Sequence, residues 1–259
     1  MSTDIDVLMP IKGPAPWLIQ ALKSLKLQSH QNWNLIAVIH GDESGIIGPL
    51  RESNIPVKIL KANQILSLPE VLNLGLKQCT ADVVARMDAD DISLPNRFAE
   101  QFEILIGNPE SLITYSPAFV IDEHGSEIGF RGAPSESNRL IRKMLWKNAL
   151  IHSTVMFRRE SVVALNGYQI DALHAEDYEL WLRLLSIGKG CVTPSPGVKY
   201  RVHSGQVTKT KIISPQCRDL VGQARLSLAH ASGHSTNKAK IQQFVWSSRQ
   251  KLRRVSMDD

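Results

Sequence analysis

The chain has little of what secreted, membrane-spanning or zinc-bound proteins carry. Its three cysteines, Cys79, Cys191 and Cys217, are odd in number and far apart. Without a CxxC pair they argue against a disulfide framework or a zinc site, and they fit a reducing cytoplasm. No apolar run approaches the roughly 18 residues of a membrane span. The opening stretch "MSTDIDVLMP" places acids where a secretory signal carries positive charge. The expectation is a soluble cytoplasmic protein. Two nucleotide signatures are also missing. No G-x-G-x-x-G follows a strand, which disfavours a dinucleotide fold, and no G-x-x-x-x-G-K-[ST] occurs, which removes the P-loop enzymes. With no glycine-rich cradle, a metal would have to neutralise any bound diphosphate.

What the chain does have is enough apolar residue, 43% of 259, for a substantial core in one large domain or two small ones. Its charge is uneven. From Lys199 onward twelve Lys and Arg face three Asp, a net of +9, which leaves −4 on the first 198 residues of a chain totalling +5. A basic tail on a mildly acidic body suits a solvated helix surface, an anionic membrane, a phosphorylated ligand or nucleic acid. The last is the weakest option, because no nucleic-acid motif accompanies the charge.

Apolar periodicity alternates along the chain. "DIDVLMPI", "NWNLIAVIHG", "PVKILKA" and "ADVVARMD" read as strands. "PWLIQALKSLKLQS", "SLPEVLNLGLKQCT" and "LPNRFAEQFEILIGN" have helical spacing, the second with Ser67 as cap and Pro69 in its first turn. Strands alternating with helices predict a mostly parallel sheet covered on both faces.

That sheet gives an address to "RMDADDISLPNR", residues 86–97, in which Asp88, Asp90 and Asp91 occupy three of four successive positions. Carboxylates so close repel, and crowding raises their pKa unless a cation is supplied. They follow a strand directly, at the carboxyl rim where open α/β sheets bind ligands. In an extended segment Asp88 and Asp90 share one face, an oxygen-rich site for Mg²⁺ or Mn²⁺ completed by water and phosphate oxygens. The alternative is a helix cap or a solvated turn. An EF-hand is excluded, since Ser93 stands where its loop needs glycine. A second constellation is "HAEDYELWLRLLSIG", where Glu176 and Asp177 open a helix whose residues 180, 181, 184 and 185 face a core. Either the helix dipole alone favours these acids, or one of them is a general base at a pocket rim. In "KYRVHSGQVT", His203 precedes a Ser-Gly turn at a strand end.

Together these pieces resemble family 2 glycosyltransferases. The blocks "VLMPIKGPAPWLIQALKSLKLQSHQNWNLIAVIHGDES", "VLNLGLKQCTADVVARMDADDISLPNRFAEQ", "HSTVMFRRE", "AEDYELWLRL" and "YRVHSGQVT" come in the family's order, over roughly residues 5 to 208. The resemblance implies the GT-A fold, with a single Rossmann-like, mixed and mostly parallel sheet flanked by helices. It implies a catalytic domain over 1–208, with a donor half of about 1–110 and an acceptor half of about 111–208, then a basic helical extension over 209–259. The implied activity is inverting transfer from a nucleotide-diphospho-sugar, a UDP-sugar first, to a glycan or lipid-linked saccharide, with surface polysaccharide as its setting. By the same resemblance, Asp90, Asp88 and His203 hold Mn²⁺ or Mg²⁺. Asp177 is the catalytic base, with Glu176 beside it. Pro10, Ile11, Lys12, His40, Asn73, Gly75, Arg86, Asp88, Ala89 and Asp91 border the donor, while His152 and Trp181 face the acceptor.

The chain departs from the family in two places. Where V-D-D-G-S is common it reads "VIHGDES", with Ile39 and His40 at the acid positions, and "PIKGPAP" replaces the commoner P-V-Y-N. Both changes leave the nucleobase open. Rival readings are a sugar-nucleotidyl transferase, which needs a glycine-rich N-terminal loop that this chain lacks, and a non-catalytic sugar-nucleotide-binding module indifferent to loss of Asp177. Residues 209–259 read as two amphipathic helices, and Ile241, Phe244, Val245 and Leu252 share a face of the second. That face either packs on the body or touches an anionic membrane surface, as a peripheral protein at its inner face.

Overall fold

The computed structural model describes residues 3–133, 137–206 and 213–255, with side chains to residue 250. A seven-stranded sheet forms the centre, in the order β10-β6-β9-β4-β1-β2-β3. Its strands are β1 (Ile5–Lys12), β2 (Trp33–His40), β3 (Val57–Ala62), β4 (Val83–Arg86), β6 (Ser111–Tyr115), β9 (Val155–Arg158) and β10 (Lys189–Val192). Only β9 runs against the others. The central strands β1, β2 and β4 are mostly apolar because both of their faces are covered. On β1, Ile5, Val7, Met9 and Ile11 enter the core on one face and Leu8 the core on the other.

One face is packed by α1 (Leu18–Lys26), α2 (Ile47–Glu52) and α4 (Arg97–Gly107). α1 buries Leu18, Ala21, Leu22 and Leu25, the spacing of a one-sided helix. The opposite face takes α3 (Leu68–Leu76), α5 (Ser137–Met144), α6 (Arg159–Ala164) and α7 (Glu176–Ile187). α3 starts on the expected cap, reinforced by Glu70, which accepts from the Ser67 backbone N–H at 2.8 Å. At Gly75 a Cβ would lie 2.3 Å from Leu8 Cδ1 and 2.8 Å from Val38 Cγ2, so only glycine lets α3 press onto β1 and β2. α2 carries only six residues and shows no sequence period of its own.

A second, four-stranded sheet was not visible in the apolar pattern. It runs β5-β11-β7-β8, with β5 (Ile92–Ser93), β7 (Ala118–Ile121), β8 (Glu127–Arg131) and β11 (Val198–Arg201). Its function in the fold is positional. β5 follows the acid cluster and β11 precedes His203, so their pairing brings two distant segments together.

The C-terminal segment is α8 (Pro215–Ala231) and α9 (Thr236–Val255). α8 sends Cys217, Val221 and Leu228 into the same core as α7. α9 lies against α8, and its seam differs from the expected one. Ala239 and Gln242 are buried, whereas Ile241 is 63% and Phe244 72% exposed. The reason is polar. Arg225 of α8 is fully buried and takes Gln243 Oε1 as acceptor, with its guanidinium 5.2 Å from the Trp246 ring, so these residues fix which side of α9 faces inward. Val245 is half-buried, and the side chain of Leu252 and the boundary at 208 lie outside the described residues.

Candidate active site

The acid cluster begins where β4 ends. Arg86, the last strand residue, is 1% exposed and donates from Nη2 to Asp88 Oδ1 at 2.5 Å. Burial, the largest single influence, opposes its charge, but Asp88, Tyr168 and Asp91 together outweigh it and raise its pKa; its Nε and Nη1 have no hydrogen-bond partner among the described residues. Asp90 Oδ2 lies 3.0 Å from His203 Nε2. Burial, then the neighbouring Asp88 charge, raises the Asp90 pKa. The His203 ring is held by Trp17, with centroids 4.6 Å apart. Arg86 thus gives the crowded acids a cation from the chain itself, which the motif alone does not reveal.

Asp91 behaves differently. It is 1% exposed, accepts from Ser153 Oγ and from the Arg201 backbone N–H at 2.7 Å, and stays outside the cleft lining. Burial drives its carboxyl well above the usual range. Its place as a donor contact is corrected: Asp91 fastens the cluster to β11. Behind it, fully buried Arg97 donates to the Arg86 and Val155 carbonyls, and burial lowers its pKa to about 9.

Across a cleft of about 460 Å³ stands the second acid pair. Glu176 and Asp177 begin α7 after His174, whose φ of +74° makes the tight entry. Asp177 Oδ2 accepts from Asn148 Nδ2 at 2.7 Å, and Oδ1 from its neighbour's backbone N–H, that of Tyr178, at 2.6 Å. Burial raises its pKa while these two donors pull it down. Glu176 is 7% exposed with Oε2 unpartnered, and burial, then the Asp177 charge, raises its pKa to about 7.

The cleft brings together Arg86, Asp88, Asp90, His152, Glu176, Asp177 and His203 from the expected set. His152 bonds Tyr168 OH at 3.0 Å, and burial holds its pKa well below the ordinary value. Trp181 is not there. It is fully buried beneath His152, one turn along α7 and aimed at the sheet, so the expected acceptor contact is corrected to a core position. Asn73 and Gly75 are likewise outside the cleft lining. Asn73 clamps the Tyr168 backbone through two bonds, at 2.7 and 2.9 Å, and Gly75 sits under α3. Pro10 and Ile11 lie within β1, Lys12 and His40 are register partners at the ends of β1 and β2, and Ala89 is half-buried between the acids.

Sequence reading missed Asn148, Tyr168, Arg131, Tyr200, Trp246 and Gln250, which also surround the cleft or support it. They come from a loop, a turn, the small sheet and the last helix, and no local motif marks them.

The oxygens of Asp88, Asp90 and Asp91 lie within 4.8 Å of one another. With Asp91 committed elsewhere, Asp88 and Asp90 suit a hard divalent cation, which takes oxygen ligands at about 2.0–2.1 Å and keeps several waters. A mostly parallel sheet flanked by helices, with an acid cluster at its carboxyl rim, is the architecture of the GT-A class. Comparison narrows the class. The glycosyl transferase family 2 model matches residues 6–165, and the chain belongs to that family. The amylovoran biosynthesis glycosyltransferase AmsE of Erwinia amylovora is 35% identical over 198 residues, 75% of this chain and 74% of AmsE. An Escherichia coli UDP-Gal:α-D-GlcNAc-diphosphoundecaprenol β-1,3-galactosyltransferase is 26% identical, over 70% of this chain and 66% of its own. Among solved structures, Staphylococcus aureus TarS 1–349 with UDP-GlcNAc has a TM-score of 0.70 at 16% identity, covering 89% of this chain and 69% of that one. The mannosyltransferase PcManGT of Pyrobaculum calidifontis, with GDP-Man and Mn²⁺, scores 0.61 at 13% identity over 98% and 83%. These structures share the GT-A fold.

Proposed function

We propose that this glycosyltransferase inverts the anomeric centre of a nucleotide-diphospho-sugar, a UDP-sugar in the first instance, while passing the sugar to a hydroxyl of a glycan or lipid-linked saccharide. The observation that carries this is the facing of Asp88, Asp90 and His203 against Asp177 across one cleft. Mn²⁺ or Mg²⁺ held by Asp88 and Asp90 would supply positive charge to the departing diphosphate. Arg86, with Nε and Nη1 unpartnered at the cleft floor, adds a fixed cation of the chain's own. The acceptor hydroxyl is too weak an acid to react unaided. Asp177 takes its proton, with Asn148 and the Tyr178 N–H holding the carboxylate in place. One displacement from the side opposite the leaving group inverts the sugar carbon. Glu176, raised to about 7 by burial and then by the Asp177 charge, shares its proton with solvent near neutral pH and so eases the crowding of negative charge beside the base.

The setting we assign is polysaccharide assembly at the cytoplasmic face of a membrane, in keeping with the names of AmsE and the diphosphoundecaprenol-directed relative. No helix among the described residues is long and apolar enough to cross a membrane. Exposed Ile241 and Phe244 beside Lys238 and Lys240 suit peripheral contact with anionic lipid. The decisive experiment is thermal stabilisation by UDP, GDP, dTDP and CMP, with and without Mn²⁺, in wild type and Asp90→Asn. A shift that needs metal and Asp90 supports the donor site, and no metal-dependent shift with any nucleotide would overturn it.

A further inference from the structure

The last helix reaches the catalytic cleft. Trp246 and Gln250, one turn apart on α9, line the same cleft as Asp177, and both are half-buried. At a spacing of four residues they share one face of the helix. They lie well beyond residues 6–165, the segment that matches the family. Packing of α9 on α8 explains the buried Ala239 and Gln242. It does not explain why the same seam, carried on toward the C-terminus, ends in an indole and an amide that border the cleft.

A second observation concerns Arg225 of α8, which the transfer chemistry does not use. It is fully buried, and among the described residues no carboxylate lies within ion-pair distance of it. Its guanidinium sits 5.6 Å from the Tyr178 ring and 5.2 Å from the Trp246 ring. Nη2 donates to the Tyr178 hydroxyl at 2.8 Å, and Nη1 donates to Gln243 Oε1. A buried cation with no counter-charge is costly, and an apolar side chain of similar volume would pack at lower cost. Arg225 does what an apolar residue could not. It draws two aromatic rings, 6.1 Å apart, to one fixed charge. Tyr178 directly follows the base, so Trp246 is anchored to the turn that carries Asp177.

We propose that Trp246 and Gln250 form the platform on which the acceptor sugar lies while its hydroxyl is presented to Asp177. The assignment rests on the glycosyl-transfer reading above and adds the residues that select the acceptor. A pyranose has C–H bonds on its faces and hydroxyls around its rim. A C–H face suits the electron-rich face of an indole, and a rim hydroxyl suits an amide one turn away. Position separates acceptor from donor. The diphosphate belongs with Asp88, Asp90 and His203, whereas Trp246 is joined through Arg225 and Tyr178 to the base on the opposite side. Arg225 is a positioning residue in this scheme and touches no substrate.

The test is ¹⁹F NMR of protein labelled with 5-fluorotryptophan, whose five signals include buried Trp33 and Trp181 as internal controls. Trp246→Phe identifies the Trp246 signal. The probes are the methyl glycosides of glucose, galactose, mannose and N-acetylglucosamine, with sorbitol as a polyol that has no ring face. At least one glycoside should move the Trp246 signal saturably and leave Trp33 and Trp181 in place, and sorbitol should move none. By saturation-transfer NMR that glycoside should bind Trp246→Leu about tenfold more weakly, the loss of one aromatic face. It should bind Gln250→Ala about fivefold more weakly, the loss of one neutral hydrogen bond. The second variant tests the platform without disturbing the Arg225 contacts. No movement of the Trp246 signal by any glycoside, equal movement by sorbitol, or unchanged glycoside binding in either variant would overturn the platform. Movement by UDP with Mn²⁺ alone would also overturn it, by placing the ring on the donor side. Loss of the Asp90-dependent nucleotide shift, with glycoside binding intact, would count against the transferase reading alone.

Discussion

The two acid clusters of the cleft are built on opposite principles. At the end of β4 each carboxylate meets a cation or a buried donor: Asp88 has Arg86, Asp90 has His203, and Asp91 has Ser153 and the Arg201 N–H. At the start of α7, Glu176 and Asp177 have no cation within ion-pair distance among the described residues, and are met by Asn148 and by backbone N–H groups. The first arrangement steadies its carboxylates with specific donors, even where burial raises their pKa, as at Asp90 and Asp91. The second leaves protonation undecided, with one member raised to about 7 by burial. Proximity of acids thus says little about their chemistry, and the partners decide whether a pair holds charge or moves protons.

Substitution separates the two clusters most sharply. Asp177→Asn keeps the shape and removes the base, so kcat should fall by about 10²–10⁴ while the metal-dependent nucleotide shift survives. Asp90→Asn should abolish that shift. Initial rates and thermal shifts on the same preparations check both, and loss of nucleotide binding in Asp177→Asn would erase the contrast.

The legibility of these clusters from sequence follows the same division. The "DADD" and "ED" acids could be read because each stands on a contiguous run that ends a strand or starts a helix. Their partners could not. Asn148 is an isolated polar residue in a loop, and Trp17 reaches His203 only through tertiary packing. The sequence placed Asp88 and Asp90 on one face and Asp91 among the donor contacts, whereas pairing of β5 with β11 turns the Asp91 carboxylate inward toward the Arg201 backbone. Trp181 had the right helix and the wrong side of it. Strands β1, β2 and β4 were plain because burial on both faces writes a nearly continuous apolar run, and helices α1, α3 and α4 because burial on one side writes a helical period. The small sheet was hidden by strands of only two to five residues.

The pH dependence of stability sharpens the comparison. Folded Glu176 keeps its proton to about pH 7, whereas the unfolded side chain loses it near 4.5. Between those values the folded protein binds the extra proton, so this residue's contribution falls as pH rises and is fully unfavourable above about 7. Glu176→Gln removes the penalty. Chemical denaturation should find the variant more stable than wild type at pH 8 by roughly 3 kcal/mol or slightly more, at about 1.4 kcal/mol per pKa unit, and the difference should shrink towards pH 4.5. A constant difference across pH would mean that the site is more solvated than its 7% exposure implies.

A smaller effect probes the support of the base. The Asn148 amide lowers the Asp177 pKa by bonding its carboxylate. Asn148→Ala should therefore raise that pKa and move the acidic limb of the kcat/KM profile to higher pH, with a modest fall in the plateau rate. A general loss of fold would lower the plateau and leave the limb where it was.

The smallest effect on the folded protein concerns the face that α9 leaves open. Phe244 touches water over 72% of its surface, so Phe244→Glu should change stability by less than about 0.5 kcal/mol. Paired with Ile241→Glu, it places two negative charges where Lys238 and Lys240 meet exposed apolar surface. Partitioning onto phosphatidylglycerol vesicles should then fall several-fold, while neutral vesicles bind neither protein. Undiminished partitioning would remove membrane contact from this face. The seam between α8 and α9, set by Arg225, Gln243 and Trp246, would then be what keeps the helix in place.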